Sequence, residues 1–185
     1  MSKPDPDNDL LPGLRDGDET ALARLMDRHL KTVTAIGYYM LGDASLAEDV
    51  AQSTFLKLWQ TAPKWKPGKA TILTWMRRVA TNDCLDRLRK KGPIYSDYVP
   101  DAADNQQTAL EELEKVDTIK AVKSALAGLP ATQRAAITLS YYQQVSQKDG
   151  AEILGQSIKA YESLLSRARI NLKAALSPLV ERESI

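Results

Sequence analysis

Helical periodicity runs through almost the whole chain and is interrupted by one long stretch. Apolar residues recur at the three- and four-residue spacing of an amphipathic helix, first at Leu22, Leu25, Met26, His29, Leu30 and Val33 and later at Val50, Phe55, Leu58 and Trp59. From 93 to 109 this spacing disappears, and prolines, aspartates and glutamines replace it, as is typical of a flexible linker. We therefore predict an all-α fold with two small helical domains, at 1–92 and 113–185, joined by an acidic linker at 93–112.

Local start and stop signals give the helices of the first domain approximate bounds. One helix is predicted after Asp16-Gly17-Asp18 and a second from about Asp43. Pro63 is expected to end the second helix before a basic loop. A third helix is predicted from about Thr71 to Leu88, with Gly92-Pro93 as its stop signal.

The basic residues are concentrated in one part of the chain, although the net charge is only +1. From Lys64 to Lys91, nine basic side chains stand against Asp83 and Asp86 alone. Such a local excess of positive charge favours a polyanion as the partner. A solvated basic helix end is the alternative interpretation.

Composition excludes several classes of protein. Cys84 is the only cysteine and His29 the only histidine, so an internal disulfide, a zinc site of the usual composition and a Ser-His-Asp centre are not expected. No phosphate-binding glycine loop is present. We therefore expect no catalytic residue, no metal, no cofactor and no small-molecule substrate. No apolar run approaches a membrane span, and the amino terminus does not resemble a secretory signal, so we expect a cytoplasmic protein without membrane insertion.

The segment 145–173 has the pattern of a helix-turn-helix. Ser146 can cap a short helix, Gly155 supplies a tight turn, and Ser157 can cap a longer helix. The longer helix carries an apolar face made of Ile158, Tyr161, Leu165, Ala168 and Leu172. Leu164 lies off that face and is left to contact another helix or a protein. A polar, partly basic face can lie in the major groove of DNA, although an ordinary helical hairpin has a similar pattern.

Two further segments carry a family resemblance. They read EDVAQSTFLKLWQ at 48–60 and ATILTWMRRVATNDCLDRLRKK at 70–91. Together with the helix-turn-helix, their order and spacing resemble the extracytoplasmic-function group of bacterial sigma factors, which keep only sigma regions 2 and 4. The resemblance implies a protein that brings RNA polymerase to a promoter, helps to melt the DNA and catalyses nothing itself.

The resemblance also implies three sets of site residues. Contact with the clamp helices of core RNA polymerase is expected from Asp49, Gln52, Phe55, Leu56 and Trp59, although Phe55 is equally a core candidate. The melted −10 element is expected to meet Lys64, Trp65, Lys66, Lys69, Arg77, Arg78, Asn82, Arg87 and Arg89. The −35 element is expected to meet Lys159, Glu162, Ser163, Ser166 and Arg167. The partners implied are core polymerase, through its clamp helices and flap, promoter DNA and an anti-sigma factor.

The second domain departs from the family pattern in two places. A glycine, Gly150, stands where a large aliphatic residue is usual, and Tyr161 is larger than the usual residue. We expect the Tyr161 ring to fill the space left at Gly150. A sigma mimic, which binds an anti-sigma factor instead of promoter DNA, stays an alternative because Gly150 and Glu162 would fit it. An ordinary helix-turn-helix regulator would leave the segments at 48–60 and 64–89 unused.

Overall fold

The structure, a computed structural model, describes residues 5–66, 68, 70–91 and 119–180. Within these ranges all regular secondary structure is helical, as predicted. The predicted linker at 93–112 and the predicted DNA contact Lys69 lie outside the described residues. No helix in the described part of the chain is both long and apolar enough to cross a bilayer.

Four α-helices form the first domain, residues 5–91. They are α1 (Leu11–Arg15), α2 (Glu19–Leu41), α3 (Ala44–Thr61) and α4 (Ile72–Lys91), and a 3₁₀ turn (Ala62–Lys64) follows α3. The predicted starts are confirmed by their caps. The Asp18 carboxylate accepts a hydrogen bond from the backbone N–H of Thr20 at 2.8 Å, and Asp43 accepts one from Leu46 at 2.8 Å. Such caps satisfy backbone donors that the first helical turn leaves unpaired. The sequence patterns did not predict α1.

The core of the first domain lies where α2, α3 and α4 meet. Helices α2 and α3 come close at Gly37, where a Cβ atom would lie 2.7 Å from the Cα of Ala47. Leu30, which the periodicity places on the buried stripe, is instead 43% exposed. The principal core side chains are Leu25, Val33, Ile36 and Met40 of α2, Val50, Phe55 and Leu58 of α3, and Ile72, Met76, Ala80 and Cys84 of α4.

The second domain, residues 119–180, consists of four α-helices and one π-helical turn. Its elements are α5 (119–127), α6 (Ala131–Ile137), the π-turn (Thr138–Tyr142), α7 (Gln147–Leu154) and α8 (Ile158–Val180). The predicted helix-turn-helix is confirmed. Ser146 caps α7 by accepting from the N–H of Asp149 at 3.1 Å, and Ser157 accepts from Ala160 at 3.2 Å. Gly155 joins the two helices in the left-handed conformation, with φ of 63°.

The two domains are in direct contact in this structure. The buried Arg134 guanidinium of α6 donates to the Met40 carbonyl at the end of α2 at 2.7 Å. The Tyr142 ring stacks on Tyr39 of α2, with the ring centroids 3.5 Å apart. Leu154 packs against the hydrophobic cores of both domains.

Candidate nucleic-acid and polymerase interface

Helix α8 presents the whole set of residues predicted for the −35 element. The five side chains are exposed, namely Lys159, Glu162, Ser163, Ser166 and Arg167. Two of them bond only to their own helix: the Ser163 hydroxyl donates to the Lys159 carbonyl at 3.0 Å, and Arg167 Nε donates to the Ser163 carbonyl at 3.3 Å. The opposite side of α8 is buried, so this helix has one packed face and one polar face.

Two apolar residues of α8 differ in burial from what the predicted apolar face implied. Leu164, off the predicted apolar face, is only 8% exposed and belongs to the core of the second domain. Ile158, which was predicted on that face, is 48% exposed. The buried surface of α8 is therefore wider in its second and third turns and absent in its first.

The expected pairing of Gly150 with Tyr161 is confirmed. A Cβ atom at Gly150 would lie 2.4 Å from Cζ of Tyr161, so the ring occupies the space that a larger residue would need. The Tyr161 hydroxyl donates to the Ala136 carbonyl at 3.3 Å. Burial raises the pKa of Tyr161 to about 12, against the opposing effect of the Arg169 charge. The tyrosine is thus a neutral core residue that joins α6, α7 and α8.

Helix α4 exposes only part of the set predicted for the −10 element. Arg78, Asn82 and Arg89 lie along one exposed edge of the helix, and Lys64 and Lys66 are exposed before its start. The spacing of Arg78 and Asn82 is one helical turn, so their side chains share one face. These five residues form the α4 edge.

Two arginines of the same set face other parts of the protein. Arg77 donates to the side-chain oxygen of Gln143 at 3.4 Å and to the Gln143 carbonyl at 3.3 Å. Burial lowers the pKa of Arg77, and the Asp149 charge opposes this. Arg87 pairs with Asp83 at 3.3 Å and with Asp49 of α3 at 3.6 Å. Arg77 and Arg87 are thus engaged by residues of other elements, whereas Arg89 pairs with Asp86 of its own helix at 3.3 Å and stays exposed.

Trp65 is placed differently from what the sequence suggested. Its side chain is only 9% exposed and lies edge-on to Trp75, with the ring centroids 5.7 Å apart. The family resemblance implied that Trp65 meets the melted −10 element, where an aromatic ring can stack on an unstacked base. A base could stack on this ring only if Trp65 left the core of the first domain.

The set predicted for polymerase contact divides between surface and core. Asp49, Gln52 and Leu56 are exposed on α3, and Leu56 keeps 56% of its surface open to solvent. Phe55 is 3% exposed and belongs to the core, while Trp59 is partly buried against it. Asp49, Gln52 and Leu56 therefore form the α3 face, with Trp59 beside them.

Sequence reasoning missed a polar cluster at the amino-terminal end. Asp7 is 1% exposed, and its carboxylate lies 2.8 Å from Nε2 of His29 and 3.0 Å from Nη1 of Arg28. The partners are more than twenty residues apart along the chain, so no local pattern indicated the contact. Among the described residues, no group of three histidine, cysteine or acidic side chains is placed to hold a metal ion.

Comparison with known proteins identifies both domains. The model for sigma-70 region 2 matches residues 25–94, and the model for sigma-70 region 4 matches residues 119–172. The chain is 28% identical over 181 residues to the ECF RNA polymerase sigma factor SigW of Bacillus subtilis, covering 90% of this chain and 94% of that protein. It is 28% identical over 185 residues to the RNA polymerase sigma-H factor of Pseudomonas aeruginosa, covering 94% and 95% of the two chains.

Solved structures show the same fold. CnrH, solved in complex with the cytosolic domain of CnrY, aligns with a TM-score of 0.69 and 24% identity, covering 93% of this chain and 97% of that chain. RpoE of Bartonella quintana, solved with the anti-sigma factor NepR, aligns with a TM-score of 0.68 and 24% identity, covering 84% and 96%. Both sigma-70 regions occur here in order on a wholly helical described structure, and the chain therefore belongs to the extracytoplasmic-function group of the sigma-70 family of RNA polymerase sigma factors.

Proposed function

We propose that this chain directs promoter-specific initiation by core RNA polymerase in the cytoplasm and is not itself an enzyme. The observation that carries the proposal is the presence of three separate exposed surfaces on one sigma fold, the α3 face, the α4 edge and the polar side of α8. Each surface suits a different partner: a protein helix, a melted strand and a duplex.

The α3 face is the proposed contact with the clamp helices of the polymerase. An exposed leucine flanked by a carboxylate and an amide, as Leu56 is by Asp49 and Gln52, provides an apolar anchor with a polar rim. The flap of the polymerase is proposed to contact the second domain.

The α4 edge is the proposed contact with the melted −10 element. Single-stranded DNA is bound by cations along its backbone and by pockets or planar groups that receive unstacked bases. Lys64, Lys66, Arg78 and Arg89 supply cations, and Asn82 can hydrogen-bond a base edge. Binding the flipped bases offsets an unstacking cost of a few kcal/mol.

The polar side of α8 is the proposed contact with the −35 element. A helix packed on one side and polar on the other can enter the major groove, where arginine and lysine meet guanine or phosphate. Glu162 could accept a hydrogen bond from a cytosine amino group. We propose that the two domains, which are held together here by the contacts of Arg77 and Arg134, separate when both promoter elements are bound.

An anti-sigma factor is the proposed regulator. RpoE of Bartonella quintana, similar in fold, was solved with the anti-sigma factor NepR. The mimic alternative requires a second domain that does not read DNA. The complete exposure of the predicted set on α8 and the cations of the α4 edge favour DNA contact instead.

In vitro transcription with core polymerase and fragmented DNA from the same bacterium tests the proposal. We expect new transcripts with discrete starts that core alone does not produce. Leu56→Asp should abolish both core binding and transcripts. Leu30→Asp, at a leucine on α2 that is 43% exposed, is the matched control and should retain both. Absence of core binding by the unsubstituted chain would reject the sigma function and leave the mimic as the favoured alternative, whereas core binding without transcripts would mean that a promoter or an activator is missing.

A further inference from the structure

The amino-terminal residues contact both ends of the basic loop that precedes α4. Residues 5–15 come before the part matched by the region 2 model, which begins at residue 25. The basic loop runs from Trp65 to Thr71, between the 3₁₀ turn and α4. Of its residues, Lys66 belongs to the α4 edge, and the loop leads directly into the helix that carries Arg78 and Asn82.

Asp5 holds the end of the basic loop. Its Oδ2 atom accepts a hydrogen bond from the backbone N–H of Ile72, the first residue of α4, at 2.8 Å. Its Oδ1 atom accepts from the N–H of Asp7 at 3.1 Å. Thr71 caps a further donor in the first turn of α4 by accepting from the N–H of Thr74 at 3.1 Å. Asp5 therefore completes a helix cap from 67 positions away, where a negative charge is favourable.

Arg15 holds the start of the basic loop. Its Nη2 atom donates to the Trp65 carbonyl. The Trp65 backbone N–H donates to the Ala62 carbonyl at 3.1 Å, and its ring is packed against Trp75. The first residue of the loop is therefore held through its carbonyl, its N–H and its side chain.

The amino-terminal segment is itself anchored to the domain. The carboxylate of Asp7 is buried and is held by Arg28 and His29 of α2 at 3.0 and 2.8 Å. Leu10 and Leu14 of the same segment are 5% and 1% exposed within the core. Asp5 and Arg15 thus act on the loop from a rigid base rather than from a loose chain end.

We propose that Asp5 and Arg15 are positioning residues for promoter melting, because together they hold the two ends of the basic loop, at Trp65 beside Lys66 and at Ile72, the first residue of α4. The proposal rests on the proposed function. Groups already held in place lose less conformational entropy when a strand binds next to them, so fixing these two ends strengthens capture of the melted strand. Neither residue touches DNA in this role.

The test measures the affinity of the holoenzyme for a single-stranded −10 oligonucleotide of the non-template strand. The oligonucleotide follows from the promoter mapped by in vitro transcription, and fluorescence anisotropy reports binding. Asp5→Ala and Arg15→Ala should each weaken binding about five-fold, the equivalent of one net hydrogen bond. Asp5→Asn, which keeps one side-chain oxygen to accept from Ile72 but loses the second acceptor and the charge, should bind more tightly than Asp5→Ala and less tightly than the unsubstituted chain.

Asp9→Ala is the matched control, since Asp9 lies on the same segment and bonds to Arg28 at 3.3 Å without touching the loop. Core affinity of all variants should equal that of this control, and the midpoint of thermal unfolding of Asp5→Ala should fall by no more than the loss of one helix cap explains. The proposal is overturned if Asp5→Ala and Arg15→Ala bind the oligonucleotide within two-fold of Asp9→Ala, or if core affinity falls in parallel. Because Arg15 is exposed, we expect Arg15→Ala to stay folded. It therefore tests the proposal even if Asp5→Ala unfolds. Loss of transcription by the unsubstituted chain would instead reject the proposed function.

Discussion

The two helices proposed to contact DNA differ in how they distribute their polar residues. Helix α8 packs on one side only, and its five predicted DNA contacts are all exposed on the other. Helix α4 is packed against α2 and α3 by one face and against the second domain by another. Its cations are consequently divided: Arg78 and Arg89 are exposed, Arg77 meets Gln143 of the second domain, and Arg87 pairs with Asp49 of α3.

This difference shows how the number of packing neighbours limits what a helix pattern can reveal. A helix with one buried face has a polar side that periodicity identifies directly. A helix between several neighbours must use polar residues for packing, domain contact and ligand contact at once. Chemical modification and substitution of residues on each helix can test this difference between α4 and α8.

The Cys84 thiol, on the buried side of α4, should react only slowly with disulfide reagents. Cys84 is fully buried there, and burial raises the pKa of its thiol to about 12. Because the thiolate is the reactive form, we expect a disulfide reagent at pH 8 to modify the native chain roughly 1000-fold more slowly than the urea-unfolded chain. Asn82→Cys in a Cys84→Ala background, on the exposed edge of the same helix, should react rapidly. Equal rates for the two cysteines in the native protein would contradict the burial of this face.

Burial of the Cys84 thiol should also make the free energy of unfolding depend on pH. The folded state keeps the Cys84 proton up to about pH 12, whereas the unfolded state releases it near the ordinary value of 9.0. The unfolded state therefore binds fewer protons between these pH values, and the free energy of unfolding should fall as pH rises. Cys84→Ala should remove this part of the pH dependence.

The contact between the domains should depend strongly on Arg134. Its guanidinium donates to the carbonyls of Met40, Leu129 and Ala127, and it is 8% exposed. Arg134→Met leaves buried acceptors unpaired, so we expect a loss of about 3 kcal/mol in the free energy of unfolding. Urea denaturation followed by circular dichroism measures it. Arg169→Met, at an exposed arginine, is the control and should change stability by less than about 0.5 kcal/mol.

The close packing of α8 on α7 should make a larger residue at Gly150 destabilising. Gly150→Ile places side-chain atoms where the Tyr161 ring lies, and overpacking of this kind costs about 2 kcal/mol. Urea denaturation should show that loss even though isoleucine is the better helix former. Adding Tyr161→Leu to the same chain should recover part of it. A rise in stability from Gly150→Ile alone would contradict the close fit between α7 and α8.

The exposed and the engaged arginines of α4 should differ in their effect on the affinity for single-stranded DNA. Arg78→Ala should weaken binding of a single-stranded oligonucleotide about five-fold, with or without core polymerase, because Arg78 is exposed in both states. Arg77→Ala should do so only with core polymerase, once the second domain has left α4. Fluorescence anisotropy at one fixed salt concentration measures both. Equal losses in the isolated chain would mean that Gln143 does not withhold Arg77 from DNA.

Local signals predicted much of the fold. The caps at Asp18, Asp43 and Ser146 were read correctly because each carboxylate or hydroxyl meets a donor two or three residues further on. The polar side of α8 was predicted for the same reason, since a single buried face follows the helical period. The pairing of Gly150 with Tyr161 was inferred from two departures of complementary size.

The errors fall where two distant segments meet. Trp65 lies between Lys64 and Lys66 in a predicted loop, so nothing local indicates that its ring is buried against Trp75. Asp5 and Asp7 lie in a proline-rich start without periodicity, and their partners Ile72 and His29 are 67 and 22 residues away.

Most helices, their caps and turns, the two-domain order and the sigma-70 family could be predicted from the sequence, because these depend on interactions within one or two helical turns or on motifs in linear order. The folded structure was needed to show which cations of α4 are exposed, that Trp65 belongs to the core, and that Asp5 and Arg15 hold the ends of the basic loop. Burial and pairing depend on which other segments lie against a residue, and no local pattern specifies those segments. The contact of Arg77 with Gln143, 66 positions away, exists only once both domains have folded and met.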